Sequence, residues 1–433
     1  MFLPENTICK RLFFLLLLSL SVRCAPVPAN GDIPNGSSPT LQNSFAIAPQ
    51  VSPPRHIQSL QLYRKGTPGT PPIIKLDEDQ QLILEFDYLD SVAKQFKITV
   101  RHYSRDWQES PLGLNFYLDG FYEDYFGTGQ KSYTQRPSYQ HYEYELPNGQ
   151  LSMTASGNYL LLVSDPDSGN LLFSLPFFVT EEKGELQTRI ETEFARREDL
   201  REQDRPFSQY RYPNFVEMPQ FDLSFQYVQN QFWGRAKQVE HFDTSTPGQV
   251  HFHLAQDEAF LGDYEFNSLD IRSFTADGAR ILSYQPEFTP PNLVLQRDVQ
   301  NFSATPASIG GSRFGQPIDD RSAEYANVKF QLETAVPSDS LQQIYLVGDF
   351  NSWTINELNK MSFNLNSGLW ESTAFIKQGE YAYKYVTIEG NRINDLALDR
   401  SFTYRSQEYI TLIYFRDPTR HYDRLLKVDR TVY

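Results

Sequence analysis

The sequence predicts an all-β protein: three consecutive Ig-like antiparallel β-sandwiches behind a signal peptide and a flexible tether. Three observations carry that expectation. Aromatic residues fill 14% of the 433 positions, with 26 Tyr and 32 Phe, and such side chains suit the half-buried, pleated surface of a sheet. From Ile57 onward, short alternating apolar runs follow one another, broken by Pro-Gly, Asp-Glu-Asp, Pro-Asn-Gly and Asp-Ser-Gly-Asn turn signals. No helical period intervenes between these runs, which argues for sandwiches and against parallel sheets with crossover helices.

The N-terminus comes first. Lys10 and Arg11 precede LFFLLLLSLSV, residues 12–22. A basic flank followed by an apolar run too short to span a bilayer reads as a secretory signal peptide, assigned to residues 1–24. Cys24 directly follows that run and is a candidate lipidation site, although Arg23 stands where lipoprotein processing wants a small residue. Simple cleavage near Cys24 or after Ala29 is the competing outcome. Residues 25–55, rich in Pro, Gly, Ser and Asn, read as a tether. The two cysteines, Cys9 and Cys24, cannot staple a folded domain. No later stretch approaches the length of a transmembrane helix. The chain reads as exported, not integral to a membrane.

The first sandwich is expected over residues 56–181. Its strands are IQSLQLYR, QLILEFDYL, QFKITVRHYS, NYLLLVSD and LLFSLPFFV. The second is expected over 182–300. The densely charged 181–207 lacks an apolar stripe at helical spacing, so it predicts a strand at Glu185–Glu193, then a polar loop ended by Pro206. FDLSFQYVQN, QVHFHLAQ, FNSLDIRSF and PNLVLQRDV supply the remaining strands. A Ser-, Gly- and Pro-rich linker, 301–323, separates them from a third sandwich over 324–433. That sandwich is built from YANVKFQLE, QIYLVGDF, LWESTAFI, GEYAYKYVTI, SQEYITLIYFR and YDRLLKV.

Chemistry is harder to find. A net charge of −15 disfavours a nucleic-acid partner. His251 and His253 share one strand face without a third ligand at a diagnostic spacing. Asp257, Glu258, Asp263 and Glu265 form an acidic cluster lacking the ordered spacing of a calcium loop. No nucleophile elbow, P-loop or dinucleotide fingerprint is present, and Asn301-Phe302-Ser303 matches a glycosylation sequon. The expectation is a non-enzymatic protein with no cofactor, no metal and no small-molecule substrate. The most unusual stretch is HYSRDWQESPLGLNFYLDGFYEDYF, residues 102–126. Trp, Tyr and Arg dominate interface hot spots, so Arg105, Asp106, Trp107, Tyr117, Phe121, Tyr122 and Tyr125 are candidate protein-interface residues. Burial inside the sandwich is the alternative fate of these rings.

Two resemblances sharpen the picture. YLVGDFNSW, residues 345–353, resembles the opening hairpin of E-set, glycogen-binding-like sandwiches that flank catalytic domains in starch and glycogen enzymes. If the resemblance extended to function, Trp353 and Trp370 would stack on glucose rings; the same geometry serves a sandwich core equally well. HYSRDWQES, YLDGFYEDYF, YQHYEYELPN and SGNYLLLV, in that order, resemble the first domain of the type IX secretion system plug protein family. The likeness continues in YVQNQFWGRA, FLGDYEFNSLDIRSF, KQGEYAYKYV and RHYDRLL. It departs from the family at residues 126–128, where the family tends to be more polar. The resemblance implies a periplasmic accessory, without catalytic residues, that closes the opening of the outer-membrane translocon barrel. The alternative is an exported carbohydrate-binding protein using the C-terminal sandwich.

Overall fold

The computed structural model describes residues 41–125, 127, 129–194, 202–275, 280–300, 321–334, 343–398 and 406–433. Cys9, Cys24, the signal peptide, the sequon Asn301, Phe126, Thr128 and the linker up to residue 320 lie outside them. The architecture is all-β, in three two-sheet sandwiches.

The first sandwich lies within one continuous stretch. One sheet runs in the order Ile57–Arg64, Leu82–Tyr88, Gln140–Leu146, Gln130–Lys131; the other runs Ile73–Lys75, Leu171–Thr180, Gly157–Ser164, Lys97–Tyr103, Glu123–Tyr125. Alternation decides which side chains enter: along Gln140–Leu146 every second residue is buried. Phe86 stacks on Tyr142 at 5.1 Å and meets Phe96 and Phe173 edge-on. Gly157–Ser164 does not alternate. All eight residues are buried, because its outer face is covered by the rest of the molecule.

The second and third sandwiches are not consecutive, and the boundaries at residues 300 and 324 require correction. One sheet of the second sandwich contains Glu185–Phe194, Glu202–Arg211, Gln249–His253 and Phe242–Asp243, with Phe260–Leu261. Its facing sheet runs Lys237–Gln238, Leu223–Gln229, Glu408–Arg416, Asp423–Val432. The last hairpin of the chain therefore closes the second sandwich, not the third. Leu223–Gln229 pairs with it in continuous register, from Leu223 opposite Phe415 to Gln229 opposite Tyr409. The third sandwich is nested between these two parts. Its sheets are Asn267–Asp270, Glu380–Glu389, Gln343–Gly348 with Arg392–Asn394, and Ile281–Gln285, Asn292–Leu295, Tyr325–Glu333, Leu369–Lys377, Ser362–Asn364 with Asp298–Val299. Burial explains the exchange. Glu408–Arg416 is buried at eight consecutive positions, and a strand covered on both faces needs a central place in a sheet.

Two smaller expectations also change. The region after Glu193 is a second long strand, Glu202–Arg211, and Pro206 lies inside it. Pro206 falls where the strand's outer partner switches from Phe260–Leu261 to Gln249–His253, so its missing N–H interrupts no ladder on that side. The predicted tether also ends early, since residues 41–56 form a strap across the sandwiches. Gln42 bridges to Arg392 of the third sandwich. Val51 N–H donates to Ser174 Oγ at 2.9 Å in the first. Between them Phe45 is buried against Phe232, Trp353 and the Arg235 guanidinium, 3.7 Å from its ring centre. A Cβ at Gly234 would sit 2.1 Å from the Ala46 carbonyl oxygen, so only glycine admits the strap there.

A buried polar cluster joins the first and third sandwiches. Asp87 accepts hydrogen bonds from His141 Nδ1 at 2.8 Å, Tyr325 Oη at 2.7 Å and Lys377 Nζ at 2.8 Å. Burial opposes the Asp87 charge, but His141 and Lys377 outweigh it and hold the carboxyl below its usual range. A carboxylate with three donors is satisfied where a lone one would be prohibitive.

Candidate interaction surface

The stretch 102–125 divides into an inward half and an outward half. Arg105 faces inward, to the second sandwich. Its N–H donates to Asp423 Oδ2 at 3.1 Å, its guanidinium donates to Ser224 Oγ, and its carbonyl accepts from Gln226. Asp106 is exposed and bonds Arg105 Nε at 3.3 Å. Trp107, at φ 58°, turns its ring onto Phe178 and Tyr103 at 5.6 and 6.1 Å and is half-buried. Tyr117 is buried beside His102 and Tyr159, and burial pushes its phenol up to about 12. Three of the seven predicted interface residues therefore hold the molecule together instead of facing outward.

The outward half begins at the short helix Leu114–Tyr117, which buries Tyr117 and leaves Leu114 and Phe116 exposed. Leu118–Gly120 then pairs with Leu151–Met153. Gly120 has φ 89°, and a Cβ there would lie 2.3 Å from the Gln150 carbonyl oxygen. That tight crossing presents Phe121 at 64%, Tyr122 at 49% and Tyr125 at 47% exposure. The support beneath them is firm. Asp124 accepts from Tyr144 Oη at 2.8 Å and Asn148 Nδ2 at 3.1 Å, and Glu123 pairs with Lys97. Exposed aromatics on a rigid edge, rimmed by charge, fit an interface core with a polar rim.

The seam behind this surface is electrostatically locked. Arg424 grips Glu181 through two bonds of 2.7 Å, and Ser156 Oγ donates to the same carboxylate at 2.7 Å. Burial works against the Glu181 charge, but Arg424, Lys183 and Ser156 prevail and bring the carboxyl to about 2. His102 behaves oppositely. Its Nε2–H donates to the Ser156 carbonyl at 3.0 Å, its Nδ1 has no partner, and burial lowers it to about 4.

The two tryptophans assigned to glycan stacking are both interior. Trp353 is 3% exposed, wedged among Phe45, Phe232 and Phe266, with Nε1–H donating to Asp349 Oδ1 at 2.9 Å. Asp349 Oδ2 accepts Ala382 N–H at 2.8 Å, and Asn351 Oδ1 accepts Gly348 N–H at 2.9 Å. The Gly-Asp-Phe-Asn-Ser-Trp turn is thus a clasp that holds Trp353 against the strap and the second sandwich. Trp370 is 7% exposed and packs against Phe363. Neither ring offers a face to a sugar. Among the described residues no group of three or more His, Cys, Asp or Glu is placed to hold a metal, and the side chains of His251 and His253 lie on an exposed strand face.

Sequence reasoning missed Leu114, Phe116, Phe215, Met218 and Phe221, all exposed. The last three lie in YPNFVEMPQFD, residues 212–222, whose apolar residues between prolines were the available signal.

Fold and surface together define a three-sandwich β protein with a cluster of exposed aromatic residues on the edge of its first sandwich. Residues 57–181 match the family described as type 9 secretion system plug protein 1st domain, and the chain carries that domain. The match covers the whole first sandwich. A hypothetical protein from Parabacteroides merdae ATCC 43184 has a similar crystal structure: TM-score 0.80, 22% identity, 89% of this chain and 99% of that chain covered. That likeness establishes a shared fold across all three sandwiches. Dimeric latent PorU from Porphyromonas gingivalis aligns at TM-score 0.15 and 8% identity, over 87% of this chain and 33% of that one, too weakly to carry an argument. No curated protein matches the chain.

Proposed function

We propose that this protein is a non-enzymatic periplasmic accessory of the type IX secretion system, which binds and closes the periplasmic opening of the outer-membrane translocon barrel. The observation that carries the reading is the family match over residues 57–181. It is supported by the exposed Phe121, Tyr122 and Tyr125 on that same sandwich. The signal-like N-terminus fits export, and no helix among the described residues is long and apolar enough to cross a membrane. Cys24, if lipidated, would add an anchor at the membrane; Cys24→Ser would then release the protein from the membrane fraction.

The role is mechanical. A plug needs a stiff body and an adhesive face, and the buried clusters at Asp87 and Glu181 make three sandwiches one body. Tagged full-length protein should recover the barrel from detergent-solubilised envelopes. Tyr122→Ala combined with Tyr125→Ala should reduce that recovery without changing thermal unfolding. Equal recovery by the folded double variant would move the contact elsewhere, and absence of the barrel from the native eluate would end the proposal.

A further inference from the structure

The hairpin turn joining Glu408–Arg416 to Asp423–Val432 lies between the first and second sandwiches. Asp417 Oδ1 accepts the N–H groups of Thr419 and Arg420 at 2.9 and 2.8 Å and shapes the turn. Tyr422 enters the core of the first sandwich. Two of the arginines on this hairpin, Arg424 and Arg420, each cover an exposed phenylalanine. Arg424 lies 4.9 Å from the Phe215 ring centre and is neutralised by Glu181. Arg420 lies 5.3 Å from the Phe116 ring centre and is exposed, with no carboxylate in ion-pair range among the described residues. Beyond Phe215, the same loop presents Met218 and Phe221, the latter 75% exposed.

We infer that the docking surface does not stop at the first sandwich: it crosses the seam onto the second, with Arg420 at the crossing, and receives a protein face that sets carboxylates around an apolar knob. The inference rests on the proposed docking to the translocon barrel. In a chain of net charge −15, an exposed guanidinium stacked on an aromatic face and left unneutralised is suited to a carboxylate brought by a partner. A stacked guanidinium keeps its planar fork of donors free for bidentate bonding. Phe116, in the short helix, and Phe215, in the loop after Glu202–Arg211, provide the apolar floor. Because Arg424, Glu181 and Tyr422 lock the seam, both sandwiches would dock as one surface.

The test measures affinity of the full-length chain for the purified barrel at low and high salt. Arg420→Glu should weaken binding by about tenfold or more at low salt and flatten the salt dependence, since it replaces attraction by repulsion at a desolvated contact. Phe221→Ser should weaken binding with little change in the salt dependence. Both variants should retain the native unfolding midpoint. If both bind like the native chain while Tyr122→Ala with Tyr125→Ala loses affinity, the surface ends at the first sandwich; this inference falls and the docking stands. If the native chain does not bind the barrel, both fall.

Discussion

The first sandwich closes within one stretch, Ile57 to Thr180, whereas the second borrows Glu408–Arg416 and Asp423–Val432 from the far end of the chain. Both are built from strands of similar length and composition. The difference lies in what each can lose. The first keeps its sheets intact whatever happens downstream, apart from the insertion of Tyr422 into its core. The second depends on the whole of the third having folded between its halves. Contacts so distant in sequence carry a high loop-closure cost and form late.

The largest effect should come from removing residues 406–433. The second sandwich would then lose two of the four strands in one sheet, and protease should cut within 182–261 while the first sandwich resists. Unchanged cooperative unfolding of the truncated chain would contradict the split topology. Next is the cluster joining the first sandwich to the third. Lys377→Met alone leaves buried Asp87 without its ammonium and should cost about 3–5 kcal/mol. Adding Asp87→Asn should recover much of that loss, and denaturant unfolding of both variants decides it. Trp353→Ala should cost about 3–5 kcal/mol, the usual range for emptying a buried aromatic site. A shift within error would return the ring to the surface and reopen glycan binding.

A smaller, pH-dependent effect belongs to His102, at the seam between the first two sandwiches. Its folded value near 4 lies below the unfolded 6.5, so the unfolded chain binds the extra proton first. The stability is present above pH 6.5 and lost as pH falls toward 4, by on the order of 3 kcal/mol. His102→Gln, which can still donate to Ser156, should flatten that part of the profile. The smallest effect is expected at the docking face, where Tyr122→Ala and Tyr125→Ala should each shift stability by less than about 0.5 kcal/mol.

The strands were largely legible because alternation and turn residues are local signals. IQSLQLYR, QLILEFDYL and YANVKFQLE became strands to within a residue or two. Their partners were not legible. Nothing within SQEYITLIYFR says that it pairs with LSFQYVQ, since an all-buried strand lacks the alternation that would tie it to one sheet. Pro206 misled for a related reason: its tolerance depends on a change of neighbour that only the fold creates. The site was half legible. Phe121, Tyr122 and Tyr125 stand exposed, while Arg105 is taken up by the second sandwich and Trp107 by Phe178 and Tyr103 of the first. A loop's composition reveals its capacity for contact, but not whether another part of the same chain has already used it.

Hydrogen exchange on the full-length chain, free and bound to the purified translocon barrel, would map the proposed docking surface residue by residue. New protection is expected at residues 114–125, continuing across the seam into 215–221 and the turn at 417–421. Protection confined to the third sandwich, around Ile281–Gln285, or no change on mixing, would contradict it.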